Sequence, residues 1–444
     1  MKAPFPDLSI KKDFTPIAVL CILIATFILI SFKIISLGYT PPDDTLRHVG
    51  KVISGKDWHD ILVLRKEIVV DSHPGWHALL GLIYRIWHPT PDLLIVFSVC
   101  FLFLLFTLVP LFILKYPEAW MISLLIISVA NPYILARLFS GRPYILTMSV
   151  IAIICFLWRY LEDKKTALGT FLLFIVLICV STWVHCAWYL YILPVFCFFA
   201  ARKWRAGGLF AAATIIGIAA GATLTGKPLV FLNQTFTHAV YAFSNNALQR
   251  MLVTEFQSFI GDNGIVIAVL GALAWRYMRG AWNRDRVENP VFILLVTGWI
   301  LGFVSRRFWM DWGIPAFSVW LALEFDEHFG KKINFLSWGR VTLALITGLS
   351  FYLSLTNDTD SRWTNSLGRE YLSLNNPDQA EWLPEKGGII YSDNMRIFYD
   401  TFFTNPRAPW KYILGFEPTQ MPPDDLAVFR QIQWNYGAYE AFKP

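Results

Sequence analysis

The sequence predicts an all-α, polytopic membrane protein of about 11 (11–13) transmembrane helices, followed by a small mixed α/β domain. Three observations carry that prediction. Of 444 residues, 55% are hydrophobic and only 16% are charged, whereas soluble domains are about a quarter charged. Mean hydropathy is +0.48. The apolar residues also come in blocks, among them Pro16–Ile35, Leu93–Leu114 and Ala167–Thr182. At ~1.5 Å rise per residue, helices of this length suit a hydrocarbon core ~30 Å thick.

In chain order the blocks place spans at roughly 16–36, 92–114, 118–136, 143–160, 166–183, 186–200, 207–225, 263–279, 290–305, 312–325 and 339–356. The first is too long for a cleaved signal and has no small-residue cleavage site, so it is expected to remain as a span. Gly75–Trp87 is apolar but short for a crossing, which suits a re-entrant or interfacial helix. With the N-terminus cytoplasmic and that stretch uncounted, Arg159/Lys164/Lys165, Arg202/Lys203/Arg205, Arg276–Arg286 and Lys331/Lys332 all fall inside, as the positive-inside rule requires. Residues 1–356 then form the transmembrane part, with extracytoplasmic loops 38–91 and 226–262. The tail, 357–444, is expected to be a separate extracytoplasmic domain with a helical stretch (Asp425–Gln433) and a strand-like run (Gly388–Tyr391).

Composition excludes several functions. The net charge of +6 is small and spread over loops, so nucleic acid is not an expected partner. Cys21, Cys100, Cys155, Cys179, Cys186 and Cys197 all lie in apolar blocks without CxxC spacing, as small buried hydrophobes do. No internal repeat is evident, which weakens a lipid or solute transporter or flippase reading. Many of the 19 Trp and 17 Tyr lie near span ends, where aromatic rings anchor helices at the interface.

The scarce charges are more informative. Asp43 and Asp44 follow the first span directly, and Leu46, Val49, Val52 and Ile53 repeat at helical spacing. Asp43 can cap such a helix, and Asp44, Arg47 and His48 then share a face. One reading is a capping pair on an amphipathic interfacial helix. The other is a general base at the membrane surface, with a neighbouring acid to orient an acceptor hydroxyl. In Asp71-Ser72-His73-Pro74-Gly75-Trp76-His77, His73 and His77 stand at i, i+4. No HExxH or Cys partner accompanies them, so substrate contact or capping is preferred to a metal site. Arg137 with Arg142, and Arg306 with Arg307, flank apolar blocks on the side where positive charge is disfavoured. Guanidinium forks suit phosphate, so these four are the candidate phosphate-binding residues. Tyr144 and Trp309, beside those arginines, and His185, at the outer end of its own span, join His73 and His77 as candidate substrate contacts.

In order along the chain, these landmarks resemble the GT-C superfamily of polyprenyl-phosphate-sugar-dependent glycosyltransferases. Pro41-Pro42-Asp43-Asp44 resembles the family's acidic first loop, His73-Pro74-Gly75 its HPP-type turn, and Arg142-Pro143-Tyr144 the RPY opening of a span. Ser305-Arg306-Arg307-Phe308 followed by Pro315 resembles an arginine-rich start to a late span. The tail, with Phe403-Thr404-Asn405-Pro406 and Tyr412-Ile413-Leu414-Gly415-Phe416-Glu417-Pro418, is similar to the NP…YIxGLDP segment of some bacterial members. The turn here is HPG, the tail reads GFEP, and the WWD of oligosaccharyltransferases is missing, with Trp382 and Trp410 standing alone. That points away from en bloc transfer and towards a single sugar.

The resemblance implies a GT-C type fold in the bacterial cytoplasmic (inner) membrane, with the active site and tail extracytoplasmic. It implies a polyprenyl-phosphate-sugar donor lipid reached laterally among membrane lipids, and a glycan, lipid or protein acceptor, as in cell-envelope synthesis. Asp43 or Asp44 would remove the acceptor proton while the anomeric carbon inverts. A phosphate leaving group needs no strong acid, and arginine charge stabilises it. No cofactor is required; the adjacent acids offer a weak site for a divalent cation, Mg or Mn. The alternative within the same pathway is an undecaprenyl-diphosphate glycan polymerase or ligase.

Overall fold

The computed structural model describes residues 14–41, 43–243, 257–258, 263–280, 288–332, 337–368, 371–392 and 394–434. Outside them lie Pro42 of the acidic loop, most of 244–262, Arg284 and Arg286 of the basic run, and the last ten residues of the tail. The chain is mostly helical, and six helices are long and apolar enough to cross a membrane: Thr15–Ser36, Pro91–Phe112, Tyr144–Leu161, Ala167–Val184, Trp204–Thr223 and Trp338–Thr356. Four shorter apolar helices, Glu118–Ala130, Trp188–Ala200, Val266–Met278 and Pro290–Gly302, occupy further expected segments. The segment expected at 312–325 continues to Lys332 as Ile314–Lys332, carrying Glu324, Asp326 and Glu327 at its far end.

Six elements position the site: α1 (Thr15–Ser36), α2 (Asp44–Ser54), α3 (Trp58–Ile61), α4 (Pro74–Trp87), α5 (Pro91–Leu108) and α6 (Glu118–Ala130). The expected span 118–136 breaks. Asn131 closes α6 by donating its N–H to Ile127 O, and accepts on Oδ1 from Tyr133 N–H. Pro132 cannot continue the ladder, and the short α7 (Tyr133–Leu138) starts afresh. Between α7 and α8 (Tyr144–Leu157), Gly141 adopts φ +64°, and a Cβ there would stand 2.9 Å from Thr45 Oγ1. Only glycine meets both demands. Thr45 Oγ1 donates to Ser140 O, so the start of α2 is fastened to the turn that carries Arg142.

Two further helices bring side chains to that turn. In α9 (Ala167–Val184) and α11 (Trp204–Thr223), Gly217 and Gly221 let the backbones close in; a Cβ on Gly221 would meet Cys179 O at 2.5 Å. Small residues four apart do this in membrane helix pairs. α10 (Ile192–Ala200) returns from the His185 corner. Inside the expected loop 226–262 stands α12 (Pro228–Phe243), anchored where Gln234 Oε1 accepts from the N–H groups of Val69 and Val70, each at 3.0 Å.

Nor does α2 keep a wet face. Its periodicity is amphipathic, yet Asp44 through Gly50 are all buried, because the tail covers the face expected to meet solvent. Phe402, on α17 (Met395–Thr404), packs onto Gly50. The strand-like run forms β1 (Ile389–Ile390), parallel to β2 (Lys411–Tyr412), and Asp425–Gln433 lies in α18 (Pro423–Trp434). Trp58, Ile61 and Leu62 share one apolar cluster with Phe398, Phe402, Tyr412 and Phe416. First loop and tail are therefore packed as one body of side chains. The remaining helices are α13 (Asn263–Met278), α14 (Pro290–Gly302), α15 (Ile314–Lys332) and α16 (Ser337–Thr356).

At the opposite end of α6, fully buried Glu118 accepts from Arg340 of α16 through Nε–Oε1 (2.6 Å) and Nη2–Oε2 (3.1 Å). Breaking such a pair strands a buried charge, at about 3–5 kcal/mol. Glu118→Ala should lower unfolding stability in detergent by that order, and E118A/R340A should recover part of it. An unchanged denaturation midpoint for E118A contradicts the assignment.

Candidate functional site

Asp43 caps α2, accepting from the Asp44 N–H. That places Asp44 on the first turn, facing inward. Asp44 Oδ2 is 2.6 Å from Arg142 Nη2, Oδ1 is 3.1 Å from Arg47 Nη2, and Oδ1 also accepts the Tyr399 hydroxyl at 2.9 Å. Arg142 also reaches Asp43 Oδ2 at 3.5 Å, and Arg47 donates to Gly415 O at 2.9 Å while lying over the Phe416 ring. The two acids therefore differ. Asp44 is engaged by two guanidiniums and a phenol; Asp43 is the more exposed of the pair.

Arg142, Arg47 and Arg307 line one polar cavity of about 70 Å³, together with Asp44, His48, His73, Tyr144, His185 and Glu417. Arg307 immediately precedes a one-turn π-helical segment, Phe308–Gly313, a distortion common at functional sites. The same turn turns Asp311 towards Arg137, whose Nε donates to Asp311 Oδ1 at 2.9 Å, and Arg307 Nε stands 3.6 Å from Oδ2. Arg137 also lies 4.0 Å above the Tyr144 ring, and Tyr144 donates its hydroxyl to Arg137 O.

The structure thus gathers Asp44, Arg142, Arg307, Tyr144, His73 and His185 into the cavity wall. Arg137 stands behind it, as the partner of Asp311. Arg306 turns to the Tyr133 ring, 5.9 Å away, and Trp309 is fully buried in the core; neither lines the cavity.

His77 is also behind the wall, in a hydrogen-bonded row. Its Nδ1 is 2.5 Å from Asp71 Oδ2 and its Nε2 is 2.8 Å from His48 Nδ1. His73, the N-cap of α4, stacks on His185 at 5.8 Å, and His185 Nδ1 meets Thr147 Oγ1 at 3.0 Å. Burial, with Arg47 next in weight, pushes His73 down to about 3. Burial and the neighbouring His73 and His77 hold His48 well below the usual imidazole range. Among the described residues, no group of three or more His, Cys, Asp or Glu is arranged to hold a metal ion.

Two larger cavities are present, one of which adjoins the polar cavity. One, of about 640 Å³, runs between α12, residues 64–68 and residues 419–423, and shares Gln234, His238 and Gln420 with the polar cavity. At that junction His238 Nε2 is 3.2 Å from Glu417 Oε2, and Gln420 Nε2 bonds both. Burial raises the Glu417 carboxyl, but the charge and hydrogen bond of His238 outweigh it and hold it well below the carboxylate range. The other, about 560 Å³ and apolar, lies between α1, α4 and α5. Its wall residue Phe101 stacks on Trp76, next to His77.

Sequence reasoning did not single out Arg47, His48, Asp71, His238 or Tyr399 as site residues. Arg47 and His48 share the Asp44 face, and Asp71 opens the His73–His77 segment, so spacing held a signal for these three. His238 and Tyr399 come from distant segments and carry none. The chain matches no protein-family model, and none of the curated proteins.

These groups set a pH response. The unfolded chain protonates its histidines near 6.5, while folded His73 stays neutral until about 3. Stability should therefore fall as pH drops below 6.5. Below about 4.5 Glu417, charged in the fold and protonated in the unfolded chain, adds to the loss. Melting temperature in detergent should decline from pH 7 to 4, less steeply in His73→Asn; parallel slopes for the two proteins contradict this.

Proposed function

We propose that this chain is a GT-C type glycosyltransferase moving a single sugar from a polyprenyl-phosphate donor to an acceptor hydroxyl, with inversion. The observation that carries it is the cavity lined by Arg47, Arg142 and Arg307, set in a bundle of apolar helices. Guanidiniums kept in such a place suit phosphate oxygens, and they stabilise the charge that grows as the sugar leaves. The polar cavity has room for only a few waters, so it is assigned the phosphate. The sugar is assigned to the 640 Å³ cavity beside it.

The aspartate pair divides its work in this proposal. Asp44, held by Arg142, Arg47 and Tyr399, sets the guanidiniums; Asp43 stands nearest to solvent for an incoming acceptor. Chemically the step needs no metal, because arginine supplies the charge a cation would bring. The proposed setting is the bacterial inner membrane, with eleven crossings, a cytoplasmic N-terminus and the site and tail extracytoplasmic. Support for that orientation comes from the basic loops, Arg159–Lys165 among them, which it places inside.

Arg142→Ala should reduce transfer about 10²–10³-fold, as loss of one transition-state donor does, and Asp44→Asn should also reduce it by loosening the guanidiniums that Asp44 sets. The assay is purified full-length protein in nanodiscs with a polyprenyl-phosphate hexose or pentose. Wild-type rates in both variants sink the site. Transfer only from the corresponding diphosphate would convert the reading to a polymerase or ligase.

A further inference from the structure

With a phosphate in the arginine cavity, a sugar bonded to it begins where that cavity meets the 640 Å³ one. Gln234, His238 and Gln420 line both cavities, and Glu417 stands beside them in the polar wall. Gln234 is already spent. Its Oε1 accepts from Val69 and Val70, and its Nε2 donates to Val70 O at 2.7 Å. The other three form a closed group. Glu417 Oε2 lies 3.2 Å from His238 Nε2 and 3.1 Å from Gln420 Nε2, and the same Gln420 nitrogen is 2.7 Å from His238 Nδ1.

The bonding of this group decides which of its atoms are left over. An ionised carboxylate only accepts, so the Gln420 atom that faces Glu417 is the nitrogen, and Gln420 Oε1 is turned away. Gln420 is 6% exposed, yet Oε1 has no hydrogen-bond partner among the described residues and is not sealed from the cavity space. Glu417 stays ionised beside His238, and its side chain is 25% exposed. A carboxylate has about four lone-pair sites; His238, Gln420 and the Glu417 N–H itself occupy three. Asp44, the other acid in the polar wall, is engaged by two guanidiniums and Tyr399. What the junction offers a ligand is therefore a pair of acceptors, one of them charged.

We propose that Glu417 and Gln420 select the sugar of the donor lipid, by accepting a hydrogen bond from a hydroxyl on the carbon next to the anomeric centre. This rests on the glycosyltransferase reading and adds to it a requirement on the sugar: a hydroxyl at that position, not a deoxy carbon. The anomeric carbon is bonded to a phosphate oxygen, so the substituent on its neighbour is the first sugar group to meet the junction. Two acceptors there are satisfied by a group that donates and are left unmatched by one that does not. Leaving such atoms unpaired is what makes a polar site reject an analogue lacking the hydroxyl. In glycoside cleavage, hydrogen bonds to this hydroxyl also strengthen towards the transition state. Farther out, Asn233 and Thr237, one turn apart on α12, line the larger cavity for the remaining hydroxyls. The cavity belongs to the size class that takes drug-sized ligands, which leaves space around a single sugar ring.

The test is equilibrium binding to full-length protein in nanodiscs. The probes are polyprenol, polyprenyl monophosphate, and polyprenyl phosphate carrying glucose, mannose, galactose or arabinose. The tightest of the four sugar lipids is then compared with its 2-deoxy-2-fluoro counterpart, which keeps the size of the group and cannot donate. In the wild type the fluoro lipid should bind about 10–100-fold more weakly, as loss of a hydrogen bond to a charged acceptor predicts. Glu417→Gln should shrink that difference to a few-fold. Equal affinity of the hydroxyl and fluoro lipids in the wild type, or an undiminished difference in E417Q, overturns the proposal. A phosphate that tightens binding over polyprenol while no sugar in the panel tightens it further sinks this inference alone. Polyprenyl monophosphate binding no tighter than polyprenol would sink the glycosyltransferase reading, and this inference with it.

Discussion

One buried carboxylate ties the site together. Asp44 takes the Arg142 and Arg47 guanidiniums and the Tyr399 hydroxyl, and so joins α2, the turn before α8 and α17. Ions taken out of water cost several kcal/mol each unless they are paired and hydrogen-bonded. Each member of the group is thus needed by the others. The tail must lie over α2 for Tyr399 and Gly415 O to arrive, and Gly141 must take its left-handed turn for Arg142 to reach. Fold and site are the same set of contacts here.

Charge is balanced unevenly around the cavity. Asp44 faces two guanidiniums, Asp311 faces Arg137 and Arg307, and Glu417 is committed to His238. Burial, with the neighbouring positive groups, holds His48 and His73 well below the usual imidazole range. What results is a confined, positively biased pocket with neutral imidazoles on one wall. Such a pocket suits an anionic group.

Much of this was legible in the sequence. The apolar blocks became helices at nearly the expected places, since burial in hydrocarbon leaves the backbone few other options. Asp43 capped α2, and Asp44, Arg47 and His48 fell together, because helical spacing alone dictates it. The break at Asn131–Pro132 was readable from the proline and was overridden by the apolar run around it. Less legible was anything that depends on tertiary contact. Amphipathic spacing in α2 implied a wet face, but the covering surface comes from a tail more than 300 residues away. Arg306 and Arg307 are equivalent as letters; only the folded chain separates them, one at the cavity and the other over the Tyr133 ring. Likewise Trp309, a candidate substrate contact by its place at a span end, packs as core.

In the proposed function the arginine cavity receives the phosphate of a membrane lipid. Its most direct test is equilibrium binding of polyprenyl monophosphate and of uncharged polyprenol to the full-length protein in nanodiscs. The account predicts that the phosphate tightens binding at least ~10-fold, worth about 1.4 kcal/mol, and that Arg307→Ala removes most of that difference. Equal affinity for the two lipids, in wild type and variant alike, would contradict it.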